Sequence, residues 1–235
     1  MINKNIKFRN AHFDYLQTGY ATIPDFLDET YVNELWSHLD TQPENWWLHA
    51  SMPNLKGNYE WPEYFVQNKE NENNIWDAQV IARDAHSHGK FAYHFSRTTD
   101  EHVANCNCKE CNFREFVLTD SFMDVVEKVT DHRCTEVDEM FASMYRKGDF
   151  LNNHTDGKKG KVGFVLNLTK QDWRPHYGGN LVLLDQEENI EQVIVPSFNT
   201  LVLFDVEGGQ GKPHYVSEVT RSYPGKRLAI SGWIY

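Results

Sequence analysis

No stretch of the 235-residue chain approaches the ~18 consecutive apolar residues that a membrane-spanning helix needs. The opening segment, MINKNIKFRNAHFDYLQ, lacks the apolar core of a secretion signal. Cysteine is scarce: Cys106, Cys108, Cys111 and Cys134 are the four in the chain. Without an export signal these are expected as reduced thiols in a cytoplasm. Basic residues are also short, 23 Lys and Arg against 34 Asp and Glu, for a net charge of -11. That balance argues against nucleic acid or an anionic membrane as partner. It leaves room for a basic protein or a cationic small molecule. No internal repeat and no linker-like stretch divides the chain, so one domain is expected, with residues 1–138 supporting a core at 139–235.

Aromatic residues, by contrast, are plentiful. Fourteen Phe, 11 Tyr and 7 Trp exclude a disordered chain. DETYVNELWSHLD predicts a helix capped by Asp28 or Thr30, with Val32, Leu35, Trp36 and Leu39 on one face. TDSFMDVVEKVT predicts a second, with Phe122, Val125, Val126 and Val129 inward. Residues 41–75 show no steady period and are expected as an ordered loop region, because Trp46, Trp47, Trp61 and the nearby Trp76 are costly to leave in water. From about residue 139 the texture changes to seven short apolar runs between turn signals. That spacing predicts a mainly β jelly roll with flanking helices.

His154 and Asp156, in NNHTDGKKGKVGFVLNLT, stand where a strand is expected to begin. In extended backbone, residues i and i+2 point to one side, so an imidazole and a carboxylate can reach one ion. A stable site needs a third ligand, and His214, opening HYVSEVT, is the best candidate. Two His and one carboxylate with open positions form the facial triad of non-haem Fe(II) oxygenases. Arg227, in KRLAISGWIY, is placed beside this pocket if its strand pairs with HYVSEVT across the turn RSYPG. A buried guanidinium there would fork onto a carboxylate. Taken singly, the HxD pair, His214 and Arg227 would each be ordinary loop or surface residues. Their order and context carry the signal.

The C-terminal half, through HTD, GGNLVLLD, VPSFNTLVLFDV, HYVSEV and RLAISGW, resembles the 2-oxoglutarate- and Fe(II)-dependent dioxygenases of the prolyl-hydroxylase superfamily. It is most similar to the branch that hydroxylates a proline of a small-ribosomal-subunit protein. The resemblance spans roughly residues 141–235; before it, only IPDFLDETYVNEL compares. It implies a double-stranded β-helix core, iron on His154, Asp156 and His214, and Arg227 on the far carboxylate of 2-oxoglutarate. It implies a co-substrate contact from Tyr145, and one from Asn167, where relatives often carry Tyr. A Ser often found two after the Arg is Ala229 here. Fe(II), 2-oxoglutarate and O2 are the implied cofactors, with ascorbate as a possible reductant and succinate and CO2 as by-products. Relatives that halogenate carry a small residue in place of Asp156, so its presence implies hydroxylation.

Three further features are weaker. Cys106, Cys108 and Cys111 form C-x-C-x2-C, with Cys134, His102 and His132 not far off. The count suffices for zinc, but the spacing matches no common module, and unligated thiols are expected. Tyr93, His94 and Arg97 read as a packed outer strand, with a pocket wall as the alternative. His176 lies in a loop and is a poor ligand candidate. The expected substrate is a prolyl residue of a protein. The alternatives are a free amino acid or other small metabolite, and a non-enzymatic jelly-roll binding module.

Overall fold

The computed structural model describes residues 1–99, 102, 106–157, 159–170, 173–207, 211–222 and 225–235. The helices are α1 (Arg9–Thr18), α2 (Glu29–Asp40), α3 (Glu72–Ser87), α4 (Lys109–Val117) and α5 (Asp120–Thr130). The strands are β1 (Tyr20–Ile23), β2 (Leu48–Met52), β3 (Glu63–Val66), β4 (Tyr93–Arg97), β5 (Val137–Tyr145) and β6 (Phe150–His154). They continue as β7 (Val162–Asn167), β8 (Leu181–Leu184), β9 (Ile190–Ile194), β10 (Thr200–Asp205), β11 (His214–Val216) and β12 (Arg227–Ile234).

The last eight strands fall into two antiparallel arms. One runs β10-β7-β12-β5 and the other β6-β11-β8-β9, with β4 hydrogen-bonded between β5 and β6. Strands consecutive in sequence thus alternate largely between the arms, which is the double-stranded β-helix. β1 extends the first arm beside β10, and the β2–β3 hairpin joins through β4. Residues 41–75 therefore hold two strands, β2 and β3, where a loop region was expected.

Period-2 alternation decides what each face of the first arm meets. Met140, Ala142, Met144, Phe164, Leu166, Leu201, Leu203, Leu228 and Ile230 point outward. They pack under the helices against Leu35, Leu39, Phe113, Phe122, Val126 and Val129. α2 begins where Asp28 accepts from the Thr30 and Tyr31 amides, and it buries Val32, Leu35 and Leu39 as expected. α5 buries Phe122, Val125, Val126 and Val129. Phe122 lies edge-on to Phe26, Phe116 and Phe164, tying two helices and the loop before α2 to β7. The inward face carries Val165, Val202, Phe204 and Ala229, which meet Leu181, Leu183 and Ile194 of the second arm.

Trp47 is buried, but Trp61 is 74% and Trp76 65% exposed, contrary to the cost of wetting them. Trp61 stands at the rim of a cavity, while Trp76 lies on α3, which buries only Ala78, Ala82 and Ala85. No helix among the described residues is long and apolar enough to cross a membrane.

Candidate active site

His154 is the last residue of β6, and Asp156 follows two positions beyond it. The HxD pair thus closes a strand that sequence patterning missed, rather than opening β7. β11 lies directly against β6, with His214 in register with His154 and the ring centres 4.3 Å apart. Asp156 stands between them, Oδ1 at 3.5 Å from His154 Nε2 and Oδ2 at 3.7 Å from His214 Nε2.

Backbone carbonyls fix both imidazoles. His154 Nδ1 is 2.9 Å from the Asn152 carbonyl, and His214 Nδ1 is 2.9 Å from the Lys212 carbonyl. A carbonyl can only accept, so each Nδ1 carries a proton and each Nε2 is the nitrogen turned toward Asp156. Burial, with His154 second, brings His214 down to about 4 and keeps it neutral, while Asp156 pulls the other way. Burial disfavours the charge on Asp156, but the His154 hydrogen bond and the His214 field outweigh it and bring the carboxyl to about 2. One ring nitrogen from each His and a carboxylate oxygen lie within 4.8 Å of one another, a set that can hold a metal ion.

These three residues line a cavity of about 730 Å³ together with Tyr145 and Arg227. Arg227 reaches it by a route other than the expected one. β11 pairs with β6 and β8, whereas β12 pairs with β5 and β7. His214 and Arg227 are on opposite arms and look into the same space. The short turn between them in sequence is a crossover and not a hairpin. Arg227 is 2% exposed, its Nε has no partner, and it forms no ion pair among the described residues. Burial depresses its pKa, with Tyr145 opposing. Its stem packs on Gly179, where an added Cβ would come within 3.2 Å of Arg227 Cδ. At Gly178, φ is +72° and a Cβ would sit 1.7 Å from the Glu218 carbonyl oxygen, so the GG pair leaves no room for larger residues.

Tyr145 pairs with Arg227 across β5 and β12, and Phe95 stacks on its ring at 4.8 Å. Burial raises its pKa, though Arg227 opposes this. Asn167 is not part of the cavity wall. It lies opposite Ala229, buried, with both amide atoms unpartnered. The other cations near in sequence are engaged elsewhere: Lys226 Nζ is 2.9 Å from Asp40, and the Arg221 guanidinium lies over Tyr177 at 4.6 Å. His176 is exposed in a short 3-10 turn.

β4 is an interior strand, not an outer one. Tyr93, Phe95 and Arg97 face the cavity, with Arg97 Cζ 3.8 Å above the Phe141 ring. His94 faces away, with Nδ1 at 3.0 Å from Asp149 Oδ1 and Nε2 accepting from Arg83 at 3.4 Å. Sequence reasoning also missed Trp61, Tyr64, Phe91, Phe204 and Trp233 as cavity residues. Only the alternation Tyr93-x-Phe95-x-Arg97 carried a signal.

Residues 140–235 match the family model described as the 2OG-Fe(II) oxygenase superfamily. Over that part, the chain is similar to the 2OG-Fe(II) oxygenases. The chain is 27% identical over 203 residues to prolyl 3-hydroxylase OGFOD1 of Mus musculus, covering 84% of this chain and 34% of that protein. It thus spans about a third of the relative's length. In fold it is similar to a Trichoplax adhaerens prolyl hydroxylase solved with a peptide of hypoxia inducible factor. There the TM-score is 0.62 and the identity 18%, over 96% of this chain and 88% of that one. It is equally similar to a Burkholderia pseudomallei oxidoreductase of the 2OG-Fe(II) oxygenase family, at TM-score 0.62 and 12% identity, over 100% and 92% of the two chains.

The family implies Fe(II), 2-oxoglutarate and O2. The residues present fit that set. Two imidazoles and a carboxylate suit a divalent iron with positions left open. A buried guanidinium without an acid, in the same cavity, suits a dicarboxylate.

Proposed function

We propose that the chain is a 2-oxoglutarate-dependent dioxygenase that hydroxylates an unactivated C–H bond, with a prolyl residue of a protein as substrate. The observation that carries this is the unpaired, fully buried Arg227 sharing one cavity with His154, Asp156 and His214. An uncompensated buried charge is costly, and a ligand carboxylate offsets that cost. On this basis His154, Asp156 and His214 hold iron and Arg227 holds the far carboxylate. Tyr145 completes the co-substrate pocket, while Asn167, outside the cavity wall, is not given a contact. With Fe(II), 2-oxoglutarate and O2 bound, the family couples oxidative decarboxylation of the co-substrate to hydroxylation, releasing succinate and CO2; ascorbate would serve as reductant.

The chain's own residues orient and exclude water. Tyr145 and Phe95 present an apolar stack beside Arg227, so its hydrogen bonds form away from solvent. The substrate end of the cavity carries Trp61, Tyr64, Phe91 and Tyr93, a rim of ring faces suited to a pyrrolidine. Glu60 and Glu139 stand at the same rim, and the chain's net charge of -11 suits a basic protein segment. Residues 1–235 act as one catalytic unit, supported by the hydrogen-bonding of β1 to β4 into the sheet of the core.

Succinate release with Fe(II) and 2-oxoglutarate, measured across proline-containing basic peptides and free amino acids, tests this. Peptide-dependent succinate with one added oxygen on proline is expected. Turnover of a free amino acid and of no peptide would move the substrate class.

A further inference from the structure

Far in sequence from the HxD pair, His102 and three cysteines converge. His102 Nδ1 lies 3.1 Å from Cys111 Sγ, 3.4 Å from Cys108 Sγ and 3.8 Å from Cys106 Sγ. The four atoms are all within 4.8 Å of one another. A zinc tetrahedron with Zn–S of about 2.3 Å and Zn–N of about 2.05 Å has N···S edges of about 3.6 Å. Hydrogen bonding among neutral groups does not require one nitrogen to meet three sulfurs at that spacing. Cys134 and His132 take no part in the cluster.

A second observation concerns the other side of the imidazole. His102 Nε2 is 3.6 Å from Glu110 Oε2, and Glu110 is 0% exposed. That oxygen has no hydrogen-bond partner, while Oε1 accepts from Thr98 Oγ1 at 2.5 Å. A buried carboxylate aimed at Nε2 favours the proton there and leaves the Nδ1 lone pair toward the sulfurs. This is the carboxylate–histidine–metal arrangement that orients ligating imidazoles. The helix helps as well. Cys108 is the N-cap of α4, and its Sγ accepts from the Cys111 amide at 3.4 Å, which turns it into the cluster; burial raises its pKa, so a bound metal would have to draw off the proton. Trp46 covers the imidazole edge-on at 5.1 Å.

We propose that His102, Cys106, Cys108 and Cys111 form a structural Zn(II) site. Three thiolates and one imidazole at tetrahedral spacing select zinc over the hard cations. Four protein ligands leave no open position, so the site is structural and not catalytic. Its place in the fold gives it a task. Thr98, which binds Glu110, is also doubly bonded to Ala142 of β5, through its amide and its hydroxyl. The next residue back is Arg97 in the cavity wall. Zinc would thus tie the start of α4 to the end of β4, beside the substrate cavity. The unligated thiols expected from spacing alone give way to a site in which His102, four residues before Cys106, supplies the fourth ligand.

The full chain, expressed with zinc and purified under reducing conditions, decides the matter. EDTA dialysis should strip metal from the open-sided HxD site in the cavity and leave about one zinc per chain by elemental analysis. A mercurial should release that zinc in step with modification of three thiols. Co(II) replacement should give intense four-coordinate ligand-field bands and thiolate charge-transfer bands, which two imidazoles and a carboxylate cannot produce. Cys111→Ser should lose the zinc; if that variant fails to fold, the wild-type measurements stand alone. Folded wild-type chain without zinc, with three thiols reacting as free cysteine does or joined in a disulfide, would overturn the proposal. None of these readouts depends on dioxygenase turnover.

Discussion

Arg227 and Tyr145 face each other across the β5–β12 ladder, with the guanidinium carbon 4.9 Å from the centre of the phenol ring. The ring holds the cation without neutralising it. The charge is positioned and buried, and its hydrogen-bonding capacity is kept for a ligand.

Arg227→Ala should therefore raise the KM for 2-oxoglutarate while leaving Fe(II) binding nearly intact. Losing a buried charge-assisted contact costs about 2–5 kcal/mol, or roughly thirty-fold and more. Arg227→Lys should recover part of it, since a point charge remains but the fork is lost. Succinate formation against 2-oxoglutarate concentration is the measurement. An unchanged KM in the alanine variant would place the carboxylate elsewhere.

His154→Ala and His214→Ala should each abolish 2-oxoglutarate turnover and weaken Fe(II) binding, because two remaining ligands hold a divalent ion poorly. Trp233 and Trp61 line the cavity, so quenching of tryptophan fluorescence by added Fe(II) under anaerobic conditions reports binding. Wild-type succinate formation in either variant would remove that residue from the ligand set.

Much of this site was legible because its residues are chemically rare in their contexts. An HxD, a His and an Arg set among apolar strands have few uses. Their arrangement was less legible. The sequence puts His214 and Arg227 thirteen residues apart, and a hairpin is the simplest link, yet the chain crosses between arms there. Local patterning cannot separate a hairpin from a crossover, since each strand is buried by partners remote in sequence. α3 escaped notice because its buried face is made of alanines, which give little amphipathic contrast. β6 escaped because FLNNH has no alternation: its last residues serve the site and not the core. The zinc ligand His102 was in view, but spacing alone could not show that its ring turns toward all three sulfurs.

His49 should make the fold acid-sensitive. Burial, then the neighbouring His94, holds it down to about 3, and its Nε2 has no partner. His94 itself lies between Asp149 and Arg83. Because the folded pKa lies below the unfolded one near 6.5, the unfolded chain takes up the proton first. Stability is complete above about pH 6.5 and is lost as pH falls toward 3. Between pH 7 and 5 this one group contributes a loss of roughly 2 kcal/mol. Urea unfolding at both pH values should show that loss in the wild type and a smaller one in His49→Phe. Equal losses in the two proteins would clear His49 of the effect.

Asp156, on the proposed function, should decide which atom the substrate receives. Its two oxygens stand 3.5 and 3.7 Å from the two imidazole nitrogens, and it is the one acidic side chain in the three-residue cluster. With the carboxylate in place, that side of the site offers an anion no room, so the wild type should hydroxylate even in high chloride. Asp156→Gly removes the only negative ligand and opens a space of carboxylate size between two imidazoles. Charge balance then favours a chloride in that space, and hydroxylation should fall to background. Chlorination also needs the substrate carbon on that side, which a single substitution does not arrange, so little or no chlorinated product is expected from the variant. Mass spectrometry of products made in chloride and in chloride-free buffer separates the outcomes. One added oxygen from the wild type in both buffers supports the assignment, and a chlorinated wild-type product would show that Asp156 does not occupy the position given to it here.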